Sequence, residues 1–211
     1  MQDFLPLFPL QLVVFPGERL NLHIFEPRYK QLIRECETNG ITFGIPAFIN
    51  DKVMDYGTEI ELLSVEKRYE NGEMDVKTRG IGKFKILEFF RKSPGKLYSG
   101  ADILRIKDES KGKIGMNDQI IQEVKKLFQL LNIQKEIEED PILFNTFNVA
   151  HQVGFSIEQE YQFLCLSIEE ERQQFMLKHL QKLLPVVEEM EEIRQKAQMN
   201  GHFRNIVPPK I

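Results

Sequence analysis

A chain of 211 residues, 42 % hydrophobic and 28 % charged, has enough apolar side chains for a packed interior and suits one large domain or two small lobes. A formal net charge of -4 gives no global reason to expect nucleic acid or an anionic membrane as partner. The longest apolar runs, such as Leu12 to Phe15, fall far short of the roughly 20 residues that a membrane-spanning helix needs.

The first half reads as β. LPLFPLQLVVFPG alternates apolar residues between prolines and predicts an edge-type strand closed by Pro16-Gly17. LNLHIF, Leu20 to Phe25, is the next strand. A helix follows, with Glu26 as cap, Pro27 at its first position and Asn39-Gly40 at its end. Tyr29, Leu32, Ile33 and Cys36 recur at helical spacing and give it one buried face. FGIPAFI returns to β, and from Gly57 four strand-like runs follow: TEIELLSVEKRYE, EMDVKTRG, KFKILEFFRK and KLYSGADILRI. Asn71-Gly72 between the first two is a strong hairpin signal, and Ser93-Pro94-Gly95 separates the last two. Successive hairpins imply a curled antiparallel sheet or small barrel.

At KDESKGKIG, Lys107 to Gly115, the pattern changes to helix. Ile120, Val124, Leu127, Phe128 and Leu131 form one stripe, and Asp140-Pro141 starts another helical segment through Phe144, Phe147 and Val149. Ser156 with Gln159, and Ser167 with Glu170, match the capping-box spacing that satisfies two orphaned backbone donors. The second box opens a long helix with Met176, Leu180, Leu183, Val187 and Met190 on one side, which Pro185 should kink or split. NGHFRNIVPPKI is an aperiodic tail.

A search for chemistry returns no catalytic residue, no cofactor site and no metal site. The pairs Gly82-Lys83, Gly95-Lys96 and Gly112-Lys113 lack the glycine five positions earlier that a phosphate-binding loop requires. His23, His151, His179 and His202 are scattered without metal-ligand spacing. No serine sits on a sharp glycine turn, and Cys36 falls on the core stripe of the first helix, where a thiol stays protonated. Cys36 and Cys165 are far apart in apolar or helical settings, which predicts reduced, buried thiols and, with no recognisable signal peptide, a cytoplasmic protein. Glutamate runs such as Glu169-Glu170-Glu171 read as solvated helix faces. Lys77, Arg79, Lys83 and Lys85, with Phe84, form a basic stripe that could touch RNA but reads better as an exposed sheet face bearing lysines.

LPLFPLQLVVFPGERLNLHIFEPRYKQLI, Leu5 to Ile33, resembles the opening signature of the Lon protease N-terminal substrate-binding domain. The similarity continues in order through FGIP, the Gly57-Thr58 strand and VKTRGIGKFKI from Val76 to Ile86, and covers about residues 3 to 195. The resemblance implies an α+β fold: an N-terminal antiparallel β-rich PUA-like lobe with one helix over residues 1–108, then an all-helical lobe over 109–198 and a tail over 199–211. It implies a non-catalytic module that binds unfolded or extended polypeptides or a protein partner, without the ATPase and peptidase domains that follow it in Lon. The alternative is a PUA-like RNA or nucleotide binder, which rests on fold analogy and is disfavoured by the net charge. LHIFEPRYKQL reads mainly as a strand-to-helix joint fixed by Glu26 and Arg28; a binding surface near it would use His23, Phe25, Arg28 and Tyr29.

Overall fold

The computed structural model describes residues 3–109 and 111–202, and its order of elements is the α+β one expected, six strands with one helix among them and the remaining helices after. Strands β1 (Asp3–Leu7), β2 (Arg19–Ile24), β3 (Phe43–Ile49), β4 (Lys52–Arg68), β5 (Met74–Phe90) and β6 (Ser99–Ile106) form a six-stranded sheet in the order β2-β5-β4-β3-β1-β6. Because β6 also pairs with β5, every strand but β2 joins a closed small barrel. The sheet is mixed, since β1 runs parallel to β3 while the other pairs are antiparallel. The helices are α1 (Pro27–Asn39), α2 (Ile114–Leu131), a 3-10 helix (Thr146–Gln152), α3 (Ile157–Cys165) and α4 (Glu169–His202). Among the described residues no helix is long and apolar enough to cross a membrane. Residues 203–211 of the expected tail lie outside the described residues.

The chain divides into two compact units, Met1–Lys111 with Asn145–Arg172, and Gly112–Phe144 with Gln173–Ile211. In the first, EMDVKTRG and KFKILEFFRK are one strand instead of two. The first half of β5 pairs with β2 (Ile24↔Met74 to Arg19↔Arg79) and the second half with β6 (Lys83↔Ile106 to Phe90↔Gly100). The partner changes around Gly80, where a Cβ would stand 2.6 Å from the Phe15 carbonyl oxygen, so only glycine admits the crossing segment. The edge strand expected from Leu5 onward stops at Leu7. Beyond it Phe8, Val13, Val14 and Phe15 are buried outside any strand, which the proline spacing cannot distinguish from strand burial. Strand β4 starts five residues before Gly57, after a two-residue turn at Asn50 (φ 50°) and Asp51 (φ 60°), the doubly positive pattern that joins β3 to β4 as a tight hairpin. Irregular register within β4–β5 and β5–β6 supplies the curl that closes the barrel.

Helix α1 meets the expectation in detail. Pro27 is at its start, Gly40 ends it at φ 65° with its amide on the Cys36 carbonyl, and Tyr29, Leu32, Ile33 and Cys36 are buried. They pack with Ile24, Phe43, Ile45, Ile60, Met74 and Val76 of the sheet. Burial pushes the Cys36 thiol up to about 12, so it is an inert core residue. Both cysteines are free, and Cys165 is half-buried.

Residues 145–172 join the barrel through aromatic contacts. Phe15 lies 5.2 Å from Phe147 and 5.9 Å, edge-on, from Phe163. Beside them is a buried ion cluster that the sequence hides. Lys83, read as an exposed strand lysine, is 1 % exposed, and Glu169, read as part of a solvated run, is also 1 % exposed. Lys83 Nζ donates to the Leu166 carbonyl at 2.5 Å and pairs with Asp108 at 2.6 Å. Arg172, fully buried, forks onto both Asp108 oxygens at 2.9 Å, reaches Glu169 at 2.7 Å and lies 4.3 Å from the Phe147 ring centroid. Glu169 in turn accepts from the Thr146 amide and hydroxyl. Burial draws the Lys83 ammonium below its ordinary value, and Asp108 offsets only part of that.

In the second unit α2 buries Ile120, Ile121, Val124, Leu127 and Phe128, while Leu131, expected in the stripe, is 49 % exposed. Asp140-Pro141 begins a single turn instead of a helix, and the helical segment there is the 3-10 helix starting at Thr146. Gln173 bonds both the amide and the carbonyl of Lys113, and its Nε2 reaches Asn117 at 2.5 Å. Helix α4 is continuous through Pro185, so no split occurs. Met176 and Leu180 are buried, Leu183 and Val187 are half-buried, and Met190 is 65 % exposed. The capping box at Ser156 and Gln159 forms as expected. At the start of α4 the amides of Glu171 and Arg172 reach the Ile168 carbonyl, and the Ser167 carbonyl accepts from the Glu109 amide.

Two outcomes test this packing. Arg172→Ala leaves buried Glu169 without a counter-charge and Asp108 with Lys83 alone, and is expected to cost about 3–5 kcal/mol in urea unfolding followed by circular dichroism; a loss under about 1 kcal/mol contradicts the buried network. His151 contacts Phe15 at 4.7 Å and places its two ring nitrogens 2.7 Å from Glu160 and 3.1 Å from Glu18. Burial opposes its charge, yet the hydrogen bonds to Glu160 and Glu18 prevail and lift it to about 9. A folded value raised above the unfolded 6.5 means stabilisation that is complete below about pH 6.5 and lost as pH rises through about 9. The thermal-stability gap between wild type and His151→Gln should therefore shrink across that window, and a gap constant from pH 6 to pH 10 contradicts the assignment.

Candidate site at the barrel mouth

The β3–β4 turn, the end of β5, the start of β6 and the start of α1 come together around one open end of the barrel. Pro9, Tyr29, Phe48, Val53 and Phe89 form its apolar wall, and Arg28, Arg91 and Ser99 its polar groups, around a depression of about 390 Å³. Local geometry places each. Phe48 and Val53 are cross-strand partners beside the Asn50-Asp51 turn. Phe89 pairs with Ala101 near the end of β5 and is 37 % exposed where it lines the depression. Tyr29 is held by stacking on Phe8, with ring centroids 3.6 Å apart. Barrel mouths with apolar walls and a few polar groups are a recurrent setting for ligands.

Arg28 lies over the Tyr29 ring at 4.6 Å, and its Nε and Nη2 reach one Glu26 oxygen at 2.8 and 2.7 Å. Glu26 makes no side-chain cap to α1; its carbonyl accepts from the Tyr29 and Lys30 amides. Arg91 is exposed and has no ion pair among the described residues. Burial raises the Tyr29 hydroxyl above its ordinary value, so it stays neutral.

Of the residues named from the sequence, Arg28 and Tyr29 stand at this mouth, whereas His23 and Phe25 do not line it. His23 is exposed on β2, and its two ring nitrogens face Asp75 at 2.7 Å and Glu73 at 3.2 Å. Those carboxylates hold the imidazole above its usual value, the Asp75 hydrogen bond most of all. Phe25, 58 % exposed, stacks beside it at 6.2 Å. Because Asp75 and Glu73 engage different nitrogens of one ring, they do not converge on a common point. Among the described residues no group of three or more His, Cys, Asp or Glu could hold a metal ion. Phe48, Val53, Phe89 and Arg91 were missed in the sequence; the usable signal was Asn50-Asp51, which fixes the hairpin that presents Phe48 and Val53.

The basic stripe is dispersed. Lys77 pairs with Glu66 at 2.8 Å and Arg79 with Glu61 at 2.5 Å, while Lys83 and Phe84 are buried.

Comparison with known proteins agrees with this architecture. The family model of the ATP-dependent protease La (LON) substrate-binding domain matches residues 4–182. Protein cereblon of Gallus gallus is 29 % identical over 96 residues, a match that spans 43 % of this chain and 22 % of cereblon. A Lon N-terminal domain protein from Xanthomonas campestris superposes with TM-score 0.68 at 21 % identity, covering 83 % of this chain and 98 % of that one. The N-terminal domain of Mycobacterium avium complex Lon protease gives TM-score 0.66 at 14 % identity, covering 86 % and 100 %. At those identities the two structures speak for the fold alone. The chain belongs to the LON substrate-binding domain family.

Proposed function

We propose that this protein is a non-catalytic module that binds extended or unfolded polypeptide segments by taking an apolar side chain into the barrel mouth. The observation that carries the reading is the apolar wall of exposed Phe89 and half-buried Phe48 and Val53, backed by buried Tyr29, in a substrate-binding family. A module without a motor needs such surface, because burial of apolar side chains supplies most of the affinity for unfolded segments. The absence of phosphate-loop and nucleophile patterns from the sequence supports a protein with neither ATPase nor peptidase activity. The scatter of cations into ion pairs supports peptide over the RNA-binding alternative.

Fluorescence anisotropy separates the two readings. An uncharged peptide rich in phenylalanine and leucine should bind weakly and almost independently of salt. A short single-stranded RNA should bind poorly; tight RNA binding that falls steeply with salt, with no peptide signal, overturns the proposal. Phe89→Ala should weaken the peptide while leaving the circular dichroism spectrum unchanged. Tyr29→Ala is less informative, since removing a buried, stacked aromatic costs about 3 kcal/mol of stability by itself. The purified protein should hydrolyse no ATP above background, and activity abolished by a point substitution in this chain would contradict that part of the account.

A further inference from the structure

We propose, building on that reading, that the mouth selects apolar residues with an acidic neighbour: a phenylalanine or leucine enters it while an adjacent aspartate or glutamate meets the Arg28–Arg91 rim. The wall is apolar, and the charged groups lining the depression are both guanidinium. This contrasts with a chain of net charge -4. Three arginines of β4, β5 and β6 hold carboxylates: Arg68 with Glu37 at 2.5 Å, Arg79 with Glu61 at 2.5 Å, and Arg105 with Glu59 at 2.7 Å. Arg91 holds none among the described residues. Glu26 engages Arg28 along its Nε and Nη2 side, and Nη1 has no partner among the described residues. An incoming carboxylate therefore finds one open guanidinium fork and one free edge.

The planar guanidinium fork matches a carboxylate in geometry as well as charge. Beside an apolar wall the pair is less screened than one standing in open water. A lysine in the same peptide position would face like charge. The mouth thus sorts segments by what flanks the buried side chain, a discrimination that a purely apolar surface cannot make.

Three N-terminally labelled, C-terminally amidated peptides share one phenylalanine-leucine core and differ only in flanking aspartate, serine or lysine. The aspartate form should bind about 10-fold more tightly than the lysine form at low salt, with the gap narrowing as salt rises. Arg91→Gln should bring the two affinities within about 2-fold of each other, and Arg91→Lys should retain part of the preference. Amidation removes the chain-end carboxylate, so the preference can come only from the flanking side chain. If all three peptides bind equally, or the gap survives in the Arg28→Gln/Arg91→Gln double variant, this inference fails while the peptide-binding reading stands. If none of them binds, both fail.

Discussion

Lys83 and Arg172 bury their cationic head groups away from water, and the barrel's union with residues 145–172 depends on how those groups are met. A charge buried alone would cost several kcal/mol, so the fold needs Asp108, Glu169 and the Leu166 carbonyl in position together. Lys83 comes from the middle of β5, Asp108 from just after β6, and Glu169 with Arg172 from the first turn of α4. Meeting their charges fixes where the chain leaves the barrel and where α4 begins. The bridge between Glu109 and Ile168 completes the join in backbone hydrogen bonds. Phe147 under the Arg172 guanidinium, and Phe15 and Phe163 beside it, give the cluster its apolar floor.

The mouth benefits from the same closure. A barrel whose strands are pinned by bulges and by close backbone approach leaves its end residues little freedom to collapse inward. Phe84 illustrates this, because its ring occupies the space that a Cβ on Gly44 or Gly57 would need, at 2.7 Å in each case. With the middle filled in this way, Phe48, Val53 and Phe89 near the strand ends form an apolar wall around the depression. Arg28, held by Glu26 and by the Tyr29 ring, sets one side of the rim.

Much of this was legible in the sequence, and what was not has a physical reason. Helix α1 could be read almost residue by residue, because Pro27, Gly40 and the Tyr29-Leu32-Ile33-Cys36 stripe are local signals. The Ser156 capping box was equally local. Strand β5 was misread as two strands because Gly80 and Gly82 look like punctuation, whereas Gly80 is small so that the Phe15 backbone can pass. Lys83 and Glu169 were misread because alternation and charge runs report ordinary solvation, and burial of a charge is decided by partners distant in sequence. For the site, LHIFEPRYKQL contributed Arg28 and Tyr29. The rest comes from strand ends that only barrel closure brings together, and His23 and Phe25 belong to a separate group with Asp75, Glu73 and Tyr69.

Amide chemical-shift mapping tests the central claim most directly. The isotope-labelled protein is titrated to saturation with an amidated peptide of one phenylalanine-leucine core. The largest shifts should fall on Phe48, Val53, Phe89 and Arg91, with those of α1 limited to its first turn at Arg28 and Tyr29. Shifts concentrated instead on His23, Phe25 and Asp75, or on residues 112–144, with the mouth unmoved, would contradict the account.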